Sequence, residues 1–439
     1  MIEPGELSYL RFLDIENLMR QIELAYGPGS LGFRFDEDRY QVLGYDGPRE
    51  QPLTDVQIGE ALDSPFESAS LEEIISAGES VLIVVSDATR ATGSAQIVNL
   101  LVRRIIQIGV VPQNIAIIFS TGIHRAVSLD EKRDLLTPFI FQRIKTLDHN
   151  AHDPSALVVV GETGRGTPVE LNRALREYSH VILTGAIGFH YFAGFTGGRK
   201  SVCPGLASAL TIKTTQMHAL DFYIGGRRAE VGTGLLDGNA VHEECESIAD
   251  MINPSFGINS MVDERGRAVR VLAGHWRGAH RAACQEYLST HSVSIENKRD
   301  VVVASCGGSP YDINLIQAHK ALDMAAQACN EGGTILLLAE CREGAGRHDF
   351  LKWFDEENSS ALAGRLRLAY EVNGQTAWSL LTKAERYRVL LLSTIADQEV
   401  KQMRMTPIHS LDEAIAHLDP ASPGYILPRG AACLPVSRH

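Results

Sequence analysis

The chain has little of what several protein classes require. No apolar run approaches the ~18 residues of a membrane-spanning helix. The stretch Met1–Arg20 alternates charged and apolar residues and lacks an uninterrupted signal-peptide core. Basic excess is missing too: the net charge is −13, which argues against the basic footprint of nonspecific nucleic-acid binding. Seven cysteines are scattered over 439 residues with no C-x-x-C pair. This pattern fits a reducing cytoplasm and argues against a cysteine-based zinc site. No low-complexity segment is present.

What is there is strand–helix alternation. Val81–Val85 is a continuous apolar run, as expected of a strand buried on both faces. Ile97–Ile108 carries apolar residues at helical spacing. Ile115–Phe119, Leu157–Val160 and Val181–Leu183 read as further strands, and Asp130–Leu136 as a short helix. After the polar stretch Ser294–Arg299, strands are expected at Val301–Ala304, Thr334–Leu338 and Val389–Leu392. Helices are expected from the Gly307–Pro310 turn to about Cys329 and over Asp412–Leu418. The fold class is α/β: two α/β domains with mostly parallel sheets and an active-site cleft between them. Residues 1–290 form the larger domain, with 1–60 an irregular edge. Residues 298–439 form the smaller one, its last residues being candidates to return to the first, and 285–300 is a hinge.

Ligands of open α/β sheets bind beyond the carboxyl ends of the strands. Four expected strand ends carry polar or glycine-rich clusters: Ser86–Arg90, Ser120–Arg125, Gly188–Ser201 and Cys306–Gly308. The third is the richest, holding His190, Gly194, Gly197, Gly198 and Lys200. It is not the G-x-x-x-x-G-K-[ST] phosphate loop, because Arg199 separates the last glycine from Lys200. Read alone, it allows an anionic ligand, a covalent lysine or a plain turn. Asp87 and Arg90 form either a turn-stiffening pair or, through Arg90, a carboxylate grip. His124 and His190 are acid–base candidates or structural hydrogen-bonders. His149, His152 and Asp153 have loose metal-ligand spacing; a polar turn is the alternative. Gln317 and Lys320 share one helix face, as substrate-facing groups or as a solvated surface.

Taken in order, the motifs Ser-Asp-Ala-Thr-Arg (86–90), Thr-Gly-Ile-His-Arg (121–125), the long stretch 188–207, Leu-Asp-Gly-Asn-Ala-Val-His-Glu (236–243), Gly-Gly-Ser-Pro-Tyr-Asp (307–312) and Gln-Ala-His-Lys (317–320) resemble the nickel-dependent lactate racemase family over about residues 70–430. The resemblance implies a nickel-pincer nucleotide, a pyridinium-3,5-bisthiocarboxylic acid mononucleotide, bound covalently at Lys200. It implies His218 as the protein's nickel ligand, at a spacing from Lys200 slightly longer than the family's. His124 and His190 match the paired acid–base histidines. Arg90 matches the group that orients the substrate carboxylate. Asp87, Gly197, Gly198, Gln317 and Lys320 match residues around cofactor and substrate, and Trp378 a tryptophan packed over the nickel. The implied enzyme is an isomerase, a racemase or epimerase inverting C2 of a 2-hydroxy acid by reversible hydride transfer to the tethered cofactor. Its partners would be the small-molecule acid and the cofactor-synthesis enzymes, with no nucleic acid and no membrane. The one departure is Ile316, where the lactate enzymes have tyrosine; this opens the substrate to malate, phenyllactate, 2-hydroxyglutarate or a sugar acid. Two other readings stand beside it: a non-catalytic cofactor-binding homologue, and a zinc metallohydrolase using His149, His152 and Asp153.

Overall fold

The computed structural model describes residues 19–44, 51–221 and 226–437. The chain splits into two compact units. One gathers Met1–Asp46, Phe222–Gly226 and His291–His439; the other gathers Gly47–Asp221 and Arg227–Thr290.

The central unit is built on a six-stranded sheet. Its strands, in spatial order, are Ala268–Gly274, Phe256–Val262, His180–Ala186, Val81–Ser86, Ile115–Ser120 and Lys145–Asp148. All neighbours are parallel except the first pair. The runs Val81–Val85 and Ile115–Phe119 are buried along their whole length, which is why they are apolar at every position rather than alternating. The helix Ser94–Gln107 buries Ile97, Val98, Leu101, Val102 and Ile105 against them. From Val81–Ser86 the chain steps outward twice, then returns to lay His180–Ala186 on the other side. The carboxyl ends of Val81–Ser86 and His180–Ala186 therefore flank a topological switch point, where such sheets open a crevice.

The other unit holds a second six-stranded sheet, parallel throughout: Thr406–Ile408, Arg388–Leu392, Cys329–Leu338, Arg299–Ser305, Gly424–Leu427 and Tyr40–Val42. Its last strand corrects the expected domain boundary. Residues 19–44 belong here and not to the larger domain. Met19–Tyr26 and Gly29–Asp36 form an antiparallel hairpin, and Leu24, Phe33, Phe35 and Tyr40 pack into one core with Val301, Val303, Leu336 and Leu338. The motif 307–312 ties this hairpin down. The buried Asp312 carboxylate accepts from Gly27 N (2.7 Å) and Glu340 N (3.1 Å), and Ser309 N donates to Gly27 O at 2.8 Å.

Three further expectations change. The final strand, Leu434–Ser437, does not return to the larger domain but pairs with Ser292–Ile295 of its own unit. The expected hinge is occupied by regular structure, because the helix Trp276–His291 runs directly into that strand. Leu157–Glu162 is a strand but not part of the parallel sheet. It forms an antiparallel hairpin with Pro168–Asn172 and leaves Val159 exposed; a short apolar run looks the same in either setting.

Phe33 is fully enclosed among Phe35 and Tyr40. Phe33→Ala should cost about 3–5 kcal/mol. Hydrogen exchange should then lose protection in Arg299–Ser305 and Cys329–Leu338 while Val81–Ser86 keeps it; equal loss in both sheets would contradict the unit boundary.

Candidate functional site

Three neighbouring strand ends of the central sheet supply the candidate residues. Asp87 and Arg90 follow Val81–Ser86, His124 follows Ile115–Ser120, and His190 to Lys200 follow His180–Ala186. Asp87 is buried and reaches across to the next strand end: its Oδ2 lies 2.7 Å from His124 Nδ1. Its Oδ1 accepts from Thr89 N (2.9 Å) and Thr89 Oγ1 (2.5 Å). Burial pushes this carboxyl up, but the hydrogen bonds from His124 and Thr89 outweigh it and hold the group below the ordinary carboxylate value. Asp87 thus pairs with His124 rather than with Arg90, whose side chain is exposed. A carboxylate at Nδ1 fixes the tautomer. In its neutral form His124 donates through Nδ1–H and carries its lone pair on Nε2.

His190 has the opposite arrangement. It sits in a two-residue strand, Phe189–His190, paired with Gly194–Phe195. Phe189, Phe192 and Phe195 are buried and anchor this small hairpin. The N–H groups of Phe192 (3.2 Å) and Ala193 (3.0 Å) both donate to His190 Nδ1. Nδ1 is therefore an acceptor and the ring proton lies on Nε2. Acquiring a second proton would turn Nδ1 into a donor facing two donors.

Lys200 lies in a short 3-10 turn, Gly198–Ser201, held by Lys200 N to Gly197 O and Gly205 N to Lys200 O. Burial pushes its ammonium down to about 7, and the nearby Arg199 and Arg90 charges act in the same direction. Gly197 and Gly198 have positive φ, and packing leaves neither any room: a Cβ on Gly197 would meet Ile187 Cδ1 at 2.7 Å, and one on Gly198 the His280 ring at 2.6 Å. The structure thus supplies a packing reason for both.

Arg199, singled out in the sequence only for interrupting a phosphate-loop pattern, holds the turn in place. It is 1% exposed, and no carboxylate pairs with it among the described residues. Instead its Nη2 donates to Ala193 O (2.8 Å), and its Nη1 to Thr196 O and Gly197 O (3.3 and 3.4 Å). Its Nε donates to His242 Nδ1 (2.9 Å), and Nη1 lies 2.8 Å from His280 Nε2. Burial, then the Arg199 charge, pushes His242 down to about 2 and His280 well below the ordinary histidine value. Both rings are neutral; His242 Nδ1 accepts from the guanidinium, and His280 Nε2 lies between Arg199 Nη1 and Thr196 O, 3.0 Å from the latter. The helix Ala240–Asp250 brings His242, and its cap Asn239 also donates to Phe192 O at 2.7 Å. This is the structural content of the 236–243 motif. Neither spacing nor periodicity links residues 199, 242 and 280.

His218 caps the carboxyl end of the helix Ala209–Met217. Its Nε2 lies 3.1 Å from Thr167 Oγ1. Gln317, Lys320 and Trp378 belong to the other unit. Gln317 Oε1 accepts from Lys320 Nζ at 2.8 Å, and Trp378 is a buried residue of the helix Val372–Arg386.

The metal reading of His149, His152 and Asp153 is overturned. His149 faces inward, with Nδ1 accepting from Asn172 Nδ2 (3.2 Å) and Nε2 donating to Ala207 O (3.1 Å), and burial pushes it down to about 4. His152 is exposed, and the Asp153 carboxylate caps the turn Pro154–Ala156 through Ser155. Among the described residues no three His, Cys, Asp or Glu side chains could hold a metal ion together. All seven cysteines are free and buried, and no described helix is long and apolar enough to cross a membrane.

The family described as the lactate racemase N-terminal domain matches residues 26–229, and the lactate racemase C-terminal domain matches 295–422. The lactate racemase of Thermoanaerobacterium thermosaccharolyticum is 28% identical over 406 residues, covering 90% of this chain and 94% of its own. That of Lactiplantibacillus plantarum is 29% identical over 409 residues, with the same coverage of both chains, 90% and 94%. Among solved structures, the T. thermosaccharolyticum lactate racemase apoprotein superposes with a TM-score of 0.86 at 25% identity, over 95% of this chain and all of that one. A Thermotoga maritima protein shares the fold, with a TM-score of 0.64 at 19% identity over 89% of this chain and all of that one.

An amine titrating near 7 is a nucleophile at neutral pH, where ordinary lysines are not. Acylation of Lys200 by a small active ester, followed by mass spectrometry, should rise with a midpoint at about pH 7; a midpoint near 10 would contradict this.

Proposed function

The chain belongs to the lactate racemase family, and from that premise we propose that it is an isomerase, a racemase or epimerase that inverts C2 of lactate or a related 2-hydroxy acid. The observation that carries this reading is the Asp87–His124 pair at the switch point, beside a loop that holds a second histidine and a lysine with a depressed pKa.

His124 would take the hydroxyl proton of the substrate on Nε2, with Asp87 orienting the ring and stabilising the imidazolium that forms. His190 would present Nε2–H to the same oxygen and polarise it. The two histidines then differ in kind: one is suited to carry a proton and the other to donate a neutral hydrogen bond. Arg90 would grip the substrate carboxylate with its planar fork. The resemblance assigns Gln317, Lys320 and Trp378 to cofactor and substrate as well, and that assignment rests on the resemblance alone.

The residues suit a lysine-tethered nickel-pincer nucleotide in two respects. Lys200 is an amine kept near neutrality by burial, and His218 Nδ1 has no hydrogen-bond partner among the described residues. Lys200 would form the tether and His218 would hold the nickel. When bound, the group would supply the acceptor and donor of the C2 hydride. Gly197, Gly198 and Arg199 would shape the turn that presents the tether.

The test is a panel of 2-hydroxy acids, lactate and malate included, given to the chain made beside the cofactor-synthesis enzymes. Expected are inversion at C2 without uptake of solvent hydrogen there and a mass increase on Lys200; the absence of both overturns the reading. In the active preparation, His124→Gln should lower kcat/KM by roughly 10²–10⁴-fold, the range for a lost acid–base group. His190→Gln, which keeps a neutral N–H donor, should lose less. His152→Ala should leave the rate unchanged.

A further inference from the structure

The helix Ala240–Asp250 carries a group that the reaction as described does not use. Glu244 is 1% exposed. Its Oε2 accepts from Thr163 Oγ1 (2.8 Å) and Thr167 Oγ1 (2.5 Å), and Arg165 Nη1 stands 3.5 Å from Oε1. Thr167 is itself fully buried, and its Oγ1 also lies 3.1 Å from His218 Nε2. A threonine hydroxyl has one proton to give. The short contact sends that proton to the carboxylate, since the Glu244 oxygen accepts. What Oγ1 offers His218 is a lone pair, so the proton between them belongs to the ring. His218 is then an Nε2–H imidazole with its electron pair on Nδ1, the nitrogen without a partner among the described residues.

We propose that Thr167 and Glu244 are positioning residues for His218: the carboxylate polarises the hydroxyl, the hydroxyl holds Nε2–H, and the ring meets a metal through Nδ1. This rests on the reading of His218 as the nickel ligand. A ligating histidine whose other nitrogen donates to a carboxylate-backed acceptor has a fixed orientation and a more basic electron pair. Here a threonine stands between ring and carboxylate. Because the relay occupies Nε2, it assigns Nδ1 to the metal. The hairpin Leu157–Asn172 gains a purpose by the same token. Its turn brings Thr163, Arg165 and Thr167 to Glu244, and Arg165 also pairs with Glu243.

The metal-free chain, with isotope-labelled histidine, tests the relay directly. Long-range proton–nitrogen spectra at about pH 8, above the ordinary histidine value, should show His218 protonated on Nε2, the signal being assigned by its loss in His218→Gln. A ring protonated on Nδ1 overturns the proposal. Thr167→Val should turn that signal into a mixture of tautomers. In the cofactor-loaded chain the same variant should weaken nickel retention against a chelator by about 10–100-fold, with the mass of the Lys200 adduct unchanged. Thr167→Ser, which keeps the hydroxyl, should restore both. If Thr167→Val leaves both tautomer and nickel retention as they were, the relay is wrong. If the unsubstituted loaded chain holds no nickel, the nickel reading itself falls. A reversed tautomer in a chain that holds nickel overturns the relay alone.

Discussion

A guanidinium sealed inside the protein, with no carboxylate partner among the described residues, is the constraint on which the candidate site depends. Removing a charge from water costs several kcal/mol unless hydrogen bonds replace the water. Arg199 meets that cost with carbonyls of its own loop and with two imidazoles that burial keeps neutral. The cation therefore dictates the path of residues 193–197. Because Lys200 is the next residue in the chain and His190 accepts from the N–H groups of Phe192 and Ala193, both side chains inherit their placement from it. The aromatic anchors Phe189, Phe192 and Phe195 supply the apolar part of the same attachment.

One protein environment gives two histidines opposite hydrogen-bond partners. His124 faces a carboxylate and His190 faces backbone N–H groups, and each partner decides which ring nitrogen keeps its lone pair. The same logic, a partner on one nitrogen deciding the chemistry of the other, runs through Thr167 to His218. In all three cases the deciding group lies elsewhere in the chain or in the backbone. This is why the residue type alone left His124 and His190 open between a functional and a structural reading.

The sheets were legible where burial on both faces forces continuous apolar runs, as at Val81–Val85, Ile115–Phe119 and Val301–Ala304. The helix at 94–107 was legible from its stripe. Two kinds of feature were not. Leu157–Val160 has the composition of a buried strand, yet it pairs as an exposed hairpin, because pairing partners are chosen by tertiary contacts and not by composition. Residues 19–44 lie at the start of the chain but complete the sheet built from 299–427. Parallel strand addition leaves no local signature, and the aromatic residues Phe33, Phe35 and Tyr40 would suit any core. His149 and His152 share a spacing that metal sites use; burial of one ring and exposure of the other removed the possibility.

The sequence by itself determined the α/β class, the strand ends that carry polar loops, and the residues at those ends: Asp87, Arg90, His124, His190 and Lys200. It could do so because strands, turns and glycine-rich loops are written in neighbouring residues. Only the tertiary structure decided that Asp87 serves His124, that Arg199 is a buried cation held by His242 and His280, and that Glu244 reaches His218 through Thr167. Those pairings join residues between 37 and 81 positions apart. Their energies come from burial and hydrogen bonding across the fold, which no local pattern encodes.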